Sequence, residues 1–301
     1  MGEQRTAQIV PVMDEPLARH TSWRVGGPAR YYLEVCDSAL LQQALAWAAE
    51  RELPLFVLGA GTNVLVRDNG FAGLVIRYTA RQWQIGAEHG DTALLEVAAG
   101  APMAGTVRRL AGLGWGGLEW AEGLPGTIGG AVFGNAGCYG GDIAAVLERA
   151  GILCDGQVEQ WPVERLAYGY RTSRLKQPAR AAGKQPAIVL DATLRLRRAD
   201  PQELATTMAQ IAQERKGKTP WGSSCGSVFK NPPGESAGRL IDAGGLKGRR
   251  VGQAEISRRH ANYIVNLGGA GSDDILALIE LAQQTVARRF GLDLELEVQV
   301  L

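Results

Sequence analysis

The sequence is poor in the residues that build metal centres and disulfide frameworks. Its four cysteines (Cys36, Cys138, Cys154 and Cys225) are scattered, with no C-x-x-C pair and no adjacent histidine. That spacing argues against zinc, and a chain of 301 residues buries enough core to need no disulfide scaffold. The three histidines, His20, His89 and His260, are equally dispersed, so no metal-ligand set is expected. An excess of one charge is also missing: 32 basic residues face 31 acidic ones, for a net charge of +1. Nothing here favours capture of nucleic acid or of an anionic lipid surface. No apolar run approaches membrane-spanning length, and the N-terminal MGEQRTAQIVPVMDEPLARH lacks the apolar core of a signal peptide. The expectation is a soluble, cytoplasmic protein without membrane insertion.

What the chain does have is glycine, 40 residues of it, gathered at a few places. The stretch GLPGTIGGAVFGNAGCYGG, Gly123 to Gly141, suits neither helix nor strand by habit, because glycine weakens the interior of both. It lacks collagen's period of three and the polarity of a free linker. The remaining reading is a chain bent through positive φ whose backbone comes close to something bulky. A second glycine turn, VLGAGTN, begins like a dinucleotide fingerprint, but Val64 stands where the third glycine belongs and NVLV continues as β-like chain. A Rossmann assignment therefore fails. What survives is a tight turn suited to a phosphate-bearing ligand, or a plain link between strands. Two such turns without a basic cluster suggest a large cofactor held mainly by backbone; a tightly packed domain junction is the alternative.

Around these turns helices and strands mix. Ser38–Glu52 is amphipathic, with Asp37 or Ser38 placed to cap it. LPLFVLGAGTNVLV and GLVIR read as strands broken by the glycine turn, TALLEVAAG as a strand, and APMAGTVRRLAGLG as a helix closed by Gly114. AGILCDGQVEQWP is a hairpin about Asp155-Gly156. VLDATLRLRRAD alternates into a strand, and Asp200, Pro201 and Glu203 start the next helix at a boundary placed at 198–205. SDDILALIELAQQTVARRFG is a helix with Ser272 as cap and Gly291 beyond it, and DLELEVQVL is a last strand. This mixture favours α+β domains over one doubly wound sheet.

Three polar constellations remain. In KTPWGSSCGSVFKNPPG, Ser227 sits in a rigid Gly/Pro-flanked loop, but C-G-S-V-F is not the G-x-S-x-G of a hydrolase, so a plain loop serine is favoured. AYGYRTSRLK offers Arg171 as a bidentate clamp for a carboxylate, or an ordinary aromatic-basic turn. Glu297 lies opposite Leu294, Leu296, Val298 and Val300, a face that periodicity reads as solvated.

Taken in order, HTSWRVGGPARYY, VLGAGTNVLVRDNGFAGLVIR, GLEWAEGLPGTIGGAVFGNAGCYGG, AYGYRTSRLK, GSVFKNPPG, AGRLIDAGGLKGRRVGQAEIS, HANYIVN and LELEVQV resemble the UDP-N-acetylenolpyruvoylglucosamine reductase family from about residue 20 onward. GYRTS followed by GSVFKNP is specific to that family; the glycine turns are shared with other flavin proteins of the vanillyl-alcohol-oxidase type. The resemblance implies a vanillyl-alcohol-oxidase-type fold with two α+β FAD-binding subdomains, 1–79 and 80–199, and an α+β substrate-binding domain, 200–301. It implies non-covalent FAD against Gly59, Ala60, Gly61, Thr62 and Asn63 and against Gly123, Pro125, Gly126, Thr127, Gly129, Gly130, Asn135, Ala136 and Gly137. It implies NADPH as co-substrate and UDP-N-acetylglucosamine enolpyruvate as substrate, reduced to UDP-N-acetylmuramate for peptidoglycan. Arg171 matches the arginine that stabilises the enolate-like intermediate, Ser227 the proton donor, and Glu297 the acid that assists Arg171. Tyr170, Lys218, Asn231 and His260 match segments that contact substrate. SRLKQPARAAGKQPAIVL is too short for the tyrosine-bearing lid of one branch and holds no tyrosine, which implies the shorter branch. Another flavin oxidase, a flavin-free binding protein of the same fold and a serine hydrolase are the competing readings, in falling order.

Overall fold

Two hydrophobic cores organise the chain in the computed structural model, which describes residues 9–176 and 186–301. The N-terminal residues 1–8, read above for a leader, and residues 177–185 of the segment too short for a lid lie outside the described residues. The chain forms two compact units. The first combines the chain up to Asp14 with Arg30–Gly59 and Ala72–Ala209, and the second combines Glu15–Ala29, Ala60–Phe71 and Gln210–Leu301.

In the first unit the longest strand, Ile188–Arg198, shows why its residues chose it. Its first half is buried on both faces, whereas Leu194 and Leu196 then alternate with exposed Arg195 and Arg197 as the strand reaches solvent. It pairs antiparallel with Leu147–Cys154 on one side and Thr92–Ala98 on the other. The resulting six-stranded sheet is extended by Gln157–Pro162 at one edge and Trp83–Ile85 at the other, with Trp115–Gly116 also paired to the long strand. Asp155 and Gly156 take φ of 49° and 77°, the left-handed pair a two-residue hairpin needs. A four-stranded sheet, with Pro28–Val35, Phe71–Tyr78 and Leu55–Leu58 as neighbours in that order, contains one parallel pair, between the last two. The Ser38–Ala49 helix starts as expected, Asp37 Oδ1 accepting from the Leu40 N–H at 2.8 Å.

The glycine-rich run departs from expectation at its centre. Ile128–Gly134 is a helix, with Thr127 Oγ1 accepting from the Gly130 N–H at 3.2 Å and Asn135 closing it at φ 47°. Ile128, Ala131 and Val132 lie on one buried face, at the 3- and 4-residue spacing that lets a short helix dock despite its glycines. The positive-φ bends occur on the flanks, at Gly123 (68°), Gly126 (123°), Tyr139 (51°) and Gly140 (82°).

The second unit is built on the Ser272–Phe290 helix, whose buried Ile275, Leu278, Ile279, Ala282 and Val286 share a core with Leu240 and Ile241 of the Ala237–Ala243 helix. A three-stranded antiparallel sheet, Arg250–Val251, Ala254–Ile256 and Ile264–Asn266, completes it. Ser272 is not the cap. Gly271 holds that place, and Ser272 is buried in the first turn, its N–H donating to Asp68 Oδ2 at 2.8 Å and its Oγ accepting from the Asp68 N–H at 2.9 Å. A carboxylate distant in sequence thus does what the serine was expected to do. The final strand is also shorter than expected. Only Gln299–Val300 is strand, parallel to Val64–Leu65, because residues upstream face a loop: Glu297 N–H donates to the Val228 carbonyl at 2.8 Å and Lys230 N–H to the Glu295 carbonyl at 2.9 Å. Gly291 ends the long helix at φ 64°, as expected.

Antiparallel sheets with helices set beside them make the fold α+β. Among the described residues no helix is long and apolar enough to cross a membrane. Asp68→Ala removes the partner of the Ser272 N–H at a helix N-terminus and is expected to cost about 1 kcal/mol. Urea unfolding checks it: a transition midpoint unchanged from the parent would contradict this capping role.

Candidate active site

The residues singled out from the sequence fall into two groups, one in each unit. In the first unit, the Arg171 segment is tied to the glycine-rich run by a series of bonds to main-chain carbonyls. Tyr168 OH donates to Val132 O at 2.8 Å, Ser173 Oγ to Phe133 O at 2.6 Å, and Arg171 Nη2 to Gly137 O at 2.6 Å. In return Asn135 Nδ2 donates to Gly169 O at 3.1 Å, while its Oδ1 accepts from the Ala144 N–H at 3.0 Å. Arg171 takes φ 55°, a left-handed conformation that costs a non-glycine residue roughly 1–2 kcal/mol. The Gly169–Thr172 bridge and a bond from Lys176 Nζ to Arg171 O at 2.8 Å hold it there. A cavity of about 460 Å³ opens beside it, lined among others by Asn135, Gly137, Asp142, Tyr168, Tyr170 and Arg171. Burial, helped by the Asp142 charge, pushes the Tyr168 phenol above its usual range, so it remains a neutral donor. Tyr170 is exposed, with the Arg171 guanidinium 5.5 Å from its ring centre.

The two glycine turns are adapted to close approach, and part of that approach is to the protein itself. A Cβ on Gly59 would lie 2.9 Å from Thr127 Oγ1, and one on Gly129 would lie 2.8 Å from the Ala99 Cβ. Gly130 and Pro125 are exposed; Gly123, Gly126, Thr127, Ala136 and Gly137 are half-buried. The main-chain N–H groups of Ala60, Gly61, Thr62 and Asn63, and those of Gly126 and Thr127, donate to no acceptor among the described residues. Bent chain with uncommitted N–H donors is, in each of the two turns, a backbone that can take up an anionic group. The buried Asn135 carboxamide, by contrast, is engaged within the protein at both ends, so its part is to join the Arg171 segment to the run.

In the second unit, Gly61 (φ 63°) packs so closely on the His20 carbonyl oxygen that a Cβ would overlap it. Its own carbonyl accepts from the Ser22 N–H at 2.9 Å. The Cys225 thiol lies 3.8 Å from Gly61 O and 3.5 Å from Val64 O, and burial pushes its pKa up to about 11. Two residues later Ser227 is half-buried, and its hydroxyl makes no hydrogen bond among the described residues. The chain on its far side is clamped by Asn262: Val228 N–H donates to Asn262 O at 2.9 Å, Phe229 N–H to Asn262 Oδ1 at 2.9 Å, and Asn262 Nδ2 to Phe229 O at 2.8 Å. Glu297, bonded through its N–H to Val228 O, is half-buried rather than solvated. Ser227 and Glu297 therefore lie on adjoining chain segments.

Sequence reading missed Asn262 and Cys225. An asparagine inside the apolar ANYIV was the available signal for the first, since a buried carboxamide needs partners. Asn231 Oδ1 accepts from the Ala237 N–H at 3.0 Å, and Lys218 is exposed and ion-paired with Glu214. His260 is half-buried, its Nδ1 3.3 Å from the Asn262 N–H. Burial, then the charges of Lys247 and Lys218, hold its pKa below the usual 6.5.

These sites match known proteins over nearly the whole length. Residues 217–301 match the family model described as UDP-N-acetylenolpyruvoylglucosamine reductase, C-terminal domain, and residues 29–160 match an FAD binding domain. The UDP-N-acetylenolpyruvoylglucosamine reductase of Chloroflexus aggregans is 60% identical over 289 residues, 96% of each chain. The chain belongs to the UDP-N-acetylenolpyruvoylglucosamine reductase family. That of Rubrobacter xylanophilus is 46% identical, covering 95% of this chain and 94% of its own. The crystal structure of UDP-N-acetylenolpyruvylglucosamine reductase from Thermus caldophilus superposes with a TM-score of 0.78 at 37% identity, covering 97% of this chain and 98% of that one. The expected α+β, FAD-binding fold is thereby borne out.

Within this reductase frame the titration of His260 has a definite sign. Its folded pKa is lowered, so the unfolded chain takes up the proton first as pH falls. The stability this group contributes is present above 6.5 and is lost on acidification below it. A proton NMR titration is expected to place the His260 midpoint below 6.5, and Lys247→Ala is expected to raise it. A midpoint at or above 6.5 would contradict the burial and charge argument.

Proposed function

We propose that the chain reduces UDP-N-acetylglucosamine enolpyruvate to UDP-N-acetylmuramate, the step of peptidoglycan precursor synthesis that consumes NADPH, with FAD held non-covalently. Membership of the reductase family along the whole chain supports the activity. The observation that carries the site assignment is Arg171, held in a strained conformation and bonded to the Gly137 carbonyl of the glycine run. Strain that persists in a well-tied loop marks a position kept for its chemistry. Bound FAD would supply hydride transfer between NADPH and the enolpyruvyl substrate.

The chain's own residues then deal with charge and proton. The uncommitted main-chain N–H groups of Gly61 and Thr62, and those of Gly126 and Thr127, would donate hydrogen bonds to diphosphate oxygens of bound FAD, and Gly59 lies close to Thr127. Hydride addition at the terminal carbon leaves an electron pair that delocalises into the substrate carboxylate. The Arg171 guanidinium, permanently charged, stabilises that developing oxyanion character. Ser227 donates its proton to the neighbouring carbon; its hydroxyl has no competing hydrogen bond among the described residues and lies in a loop clamped by Asn262. A serine is a weak acid, so fixed geometry and the basicity of the intermediate provide the drive. Glu297 is the acid that assists Arg171. Tyr170, Lys218, Asn231 and His260 contact the substrate; the field of Lys247 and Lys218 that depresses the His260 pKa suits a diphosphate. The three-part division 1–79, 80–199 and 200–301 and a cytoplasmic location complete the proposal.

The decisive experiment separates the half-reactions. The visible spectrum of the purified protein should show bound flavin, bleach on NADPH addition without oxygen, and return when the enolpyruvyl substrate is added. Ser227→Ala should leave bleaching by NADPH nearly intact and slow the return by roughly 10²–10⁴-fold, the range of general acid catalysis. Equal loss in both halves would remove Ser227 as proton donor.

A further inference from the structure

We infer that Asn63, in the glycine turn matched to FAD, is a positioning residue for Glu297. The inference deepens the proposed function and rests on Glu297 being the acid of that site. Asn63 Nδ2 donates to the main-chain carbonyl of Glu297 at 3.0 Å. Its own main-chain carbonyl accepts from the Gln299 N–H at 3.0 Å. The two contacts begin the parallel pair in which Gln299 faces Val64 and Val300 faces Leu65, and the pairing continues through Leu301 N–H to Leu65 O and Arg67 N–H to Leu301 O.

On its other side the Glu297 N–H donates to Val228 O at 2.8 Å, one residue beyond Ser227. Both peptide groups flanking the Glu297 Cα are thus held, one by the serine loop and one by the Asn63 carboxamide. With those groups immobile the direction of the Cα–Cβ bond is set, and only side-chain rotation is left to place the carboxylate. Without Asn63 the carbonyl loses its partner from that turn, and its peptide group is left with the longer bond from the Val298 N–H to Val228 O at 3.4 Å, a weaker hold on its orientation.

Residue type explains the choice. The contact needs a donor, so aspartate in the same shape presents an oxygen to an oxygen and repels. Alanine removes the contact altogether. A bond made inside a half-buried turn is the kind whose loss is felt as misplacement of the group it holds. The main-chain N–H groups of Ala60, Gly61 and Thr62 remain for the ligand, while the Asn63 side chain serves the acid.

The test combines a double-mutant cycle with a structural readout that needs no cofactor. In stopped-flow reoxidation of the NADPH-reduced, FAD-loaded enzyme by the enolpyruvyl substrate, Asn63→Ala is expected to slow the step roughly five- to tenfold and to shift its pH profile. In a Glu297→Gln background the same change should add less than about twofold, because the acid it positions is already gone. Asn63→Asp, nearly identical in shape, should behave like Asn63→Ala and carries the test where alanine loosens the fold. In the flavin-free protein, hydrogen exchange at the Glu297 and Gln299 amides should quicken several-fold in Asn63→Ala. Effects of Asn63→Ala and Glu297→Gln that simply multiply, or unchanged amide protection, would overturn the inference. Glu297→Gln that reoxidises at the parent rate would overturn the assignment of the acid itself, a different failure with its own signature.

Discussion

The site depends on main chain lying closer than a side chain would allow. Gly59 has no room for a Cβ beside Thr127 Oγ1, Gly129 has none beside Ala99, and Gly61 has none over the His20 carbonyl. The turn at Gly59 and Gly61 keeps the N–H groups of Ala60 to Asn63 without an acceptor among the described residues, and so do the bends at Gly126 and Thr127, whereas the Gly129 N–H is used on the Ala99 carbonyl at 2.8 Å. Unpaired donors are costly once buried, so this arrangement persists only where a ligand or water takes them up. The glycines therefore act twice. They let the turns pack, and they leave the backbone itself as the binding surface, which is why a net charge of +1 is compatible with a diphosphate-bearing cofactor.

A second regularity follows from the first. Main-chain atoms and neutral carboxamides help hold the polar groups assigned to chemistry. Arg171 donates to a carbonyl of the glycine run, and its segment is tied there by Tyr168 and Ser173 through two further carbonyls. The Ser227 loop is held by the Asn262 carboxamide, and the Glu297 peptide by Val228 and Asn63. Main-chain anchors position a charge without neutralising it. Preorganisation here comes from the peptide framework, which costs no reorganisation when the charge appears.

Much of the fold was legible in the residues. The Asp155-Gly156 hairpin, the Asp37 cap, the alternating Leu194–Arg197 strand and the Gly291 helix stop all followed local rules and all appear. The failures share one cause. Ser272 was displaced as a cap by Asp68, which lies far away in sequence. The C-terminal strand was cut short because its neighbour is a loop, and the glycine run holds a helix because its one apolar face docks on a core. Local pattern cannot anticipate a partner supplied from elsewhere in the chain.

The same divide runs through the site. Motif order alone was enough to reach the reductase family and to name Arg171, Ser227 and Glu297, since short motifs carry the chemistry in residue types and spacing. The mismatch with a hydrolase motif had made Ser227 a loop serine and periodicity had made Glu297 a solvated one; the fold half-buries both and sets them on adjoining segments. The sequence by itself determined the secondary-structure propensities, the glycine turns and the motifs that reach the family, because those reside in single residues and their near neighbours. Tertiary structure alone decided which carbonyl each group would grip, which donors would stay open, and that Asn63 would reach Glu297, because such contacts join residues that only the folded chain brings together.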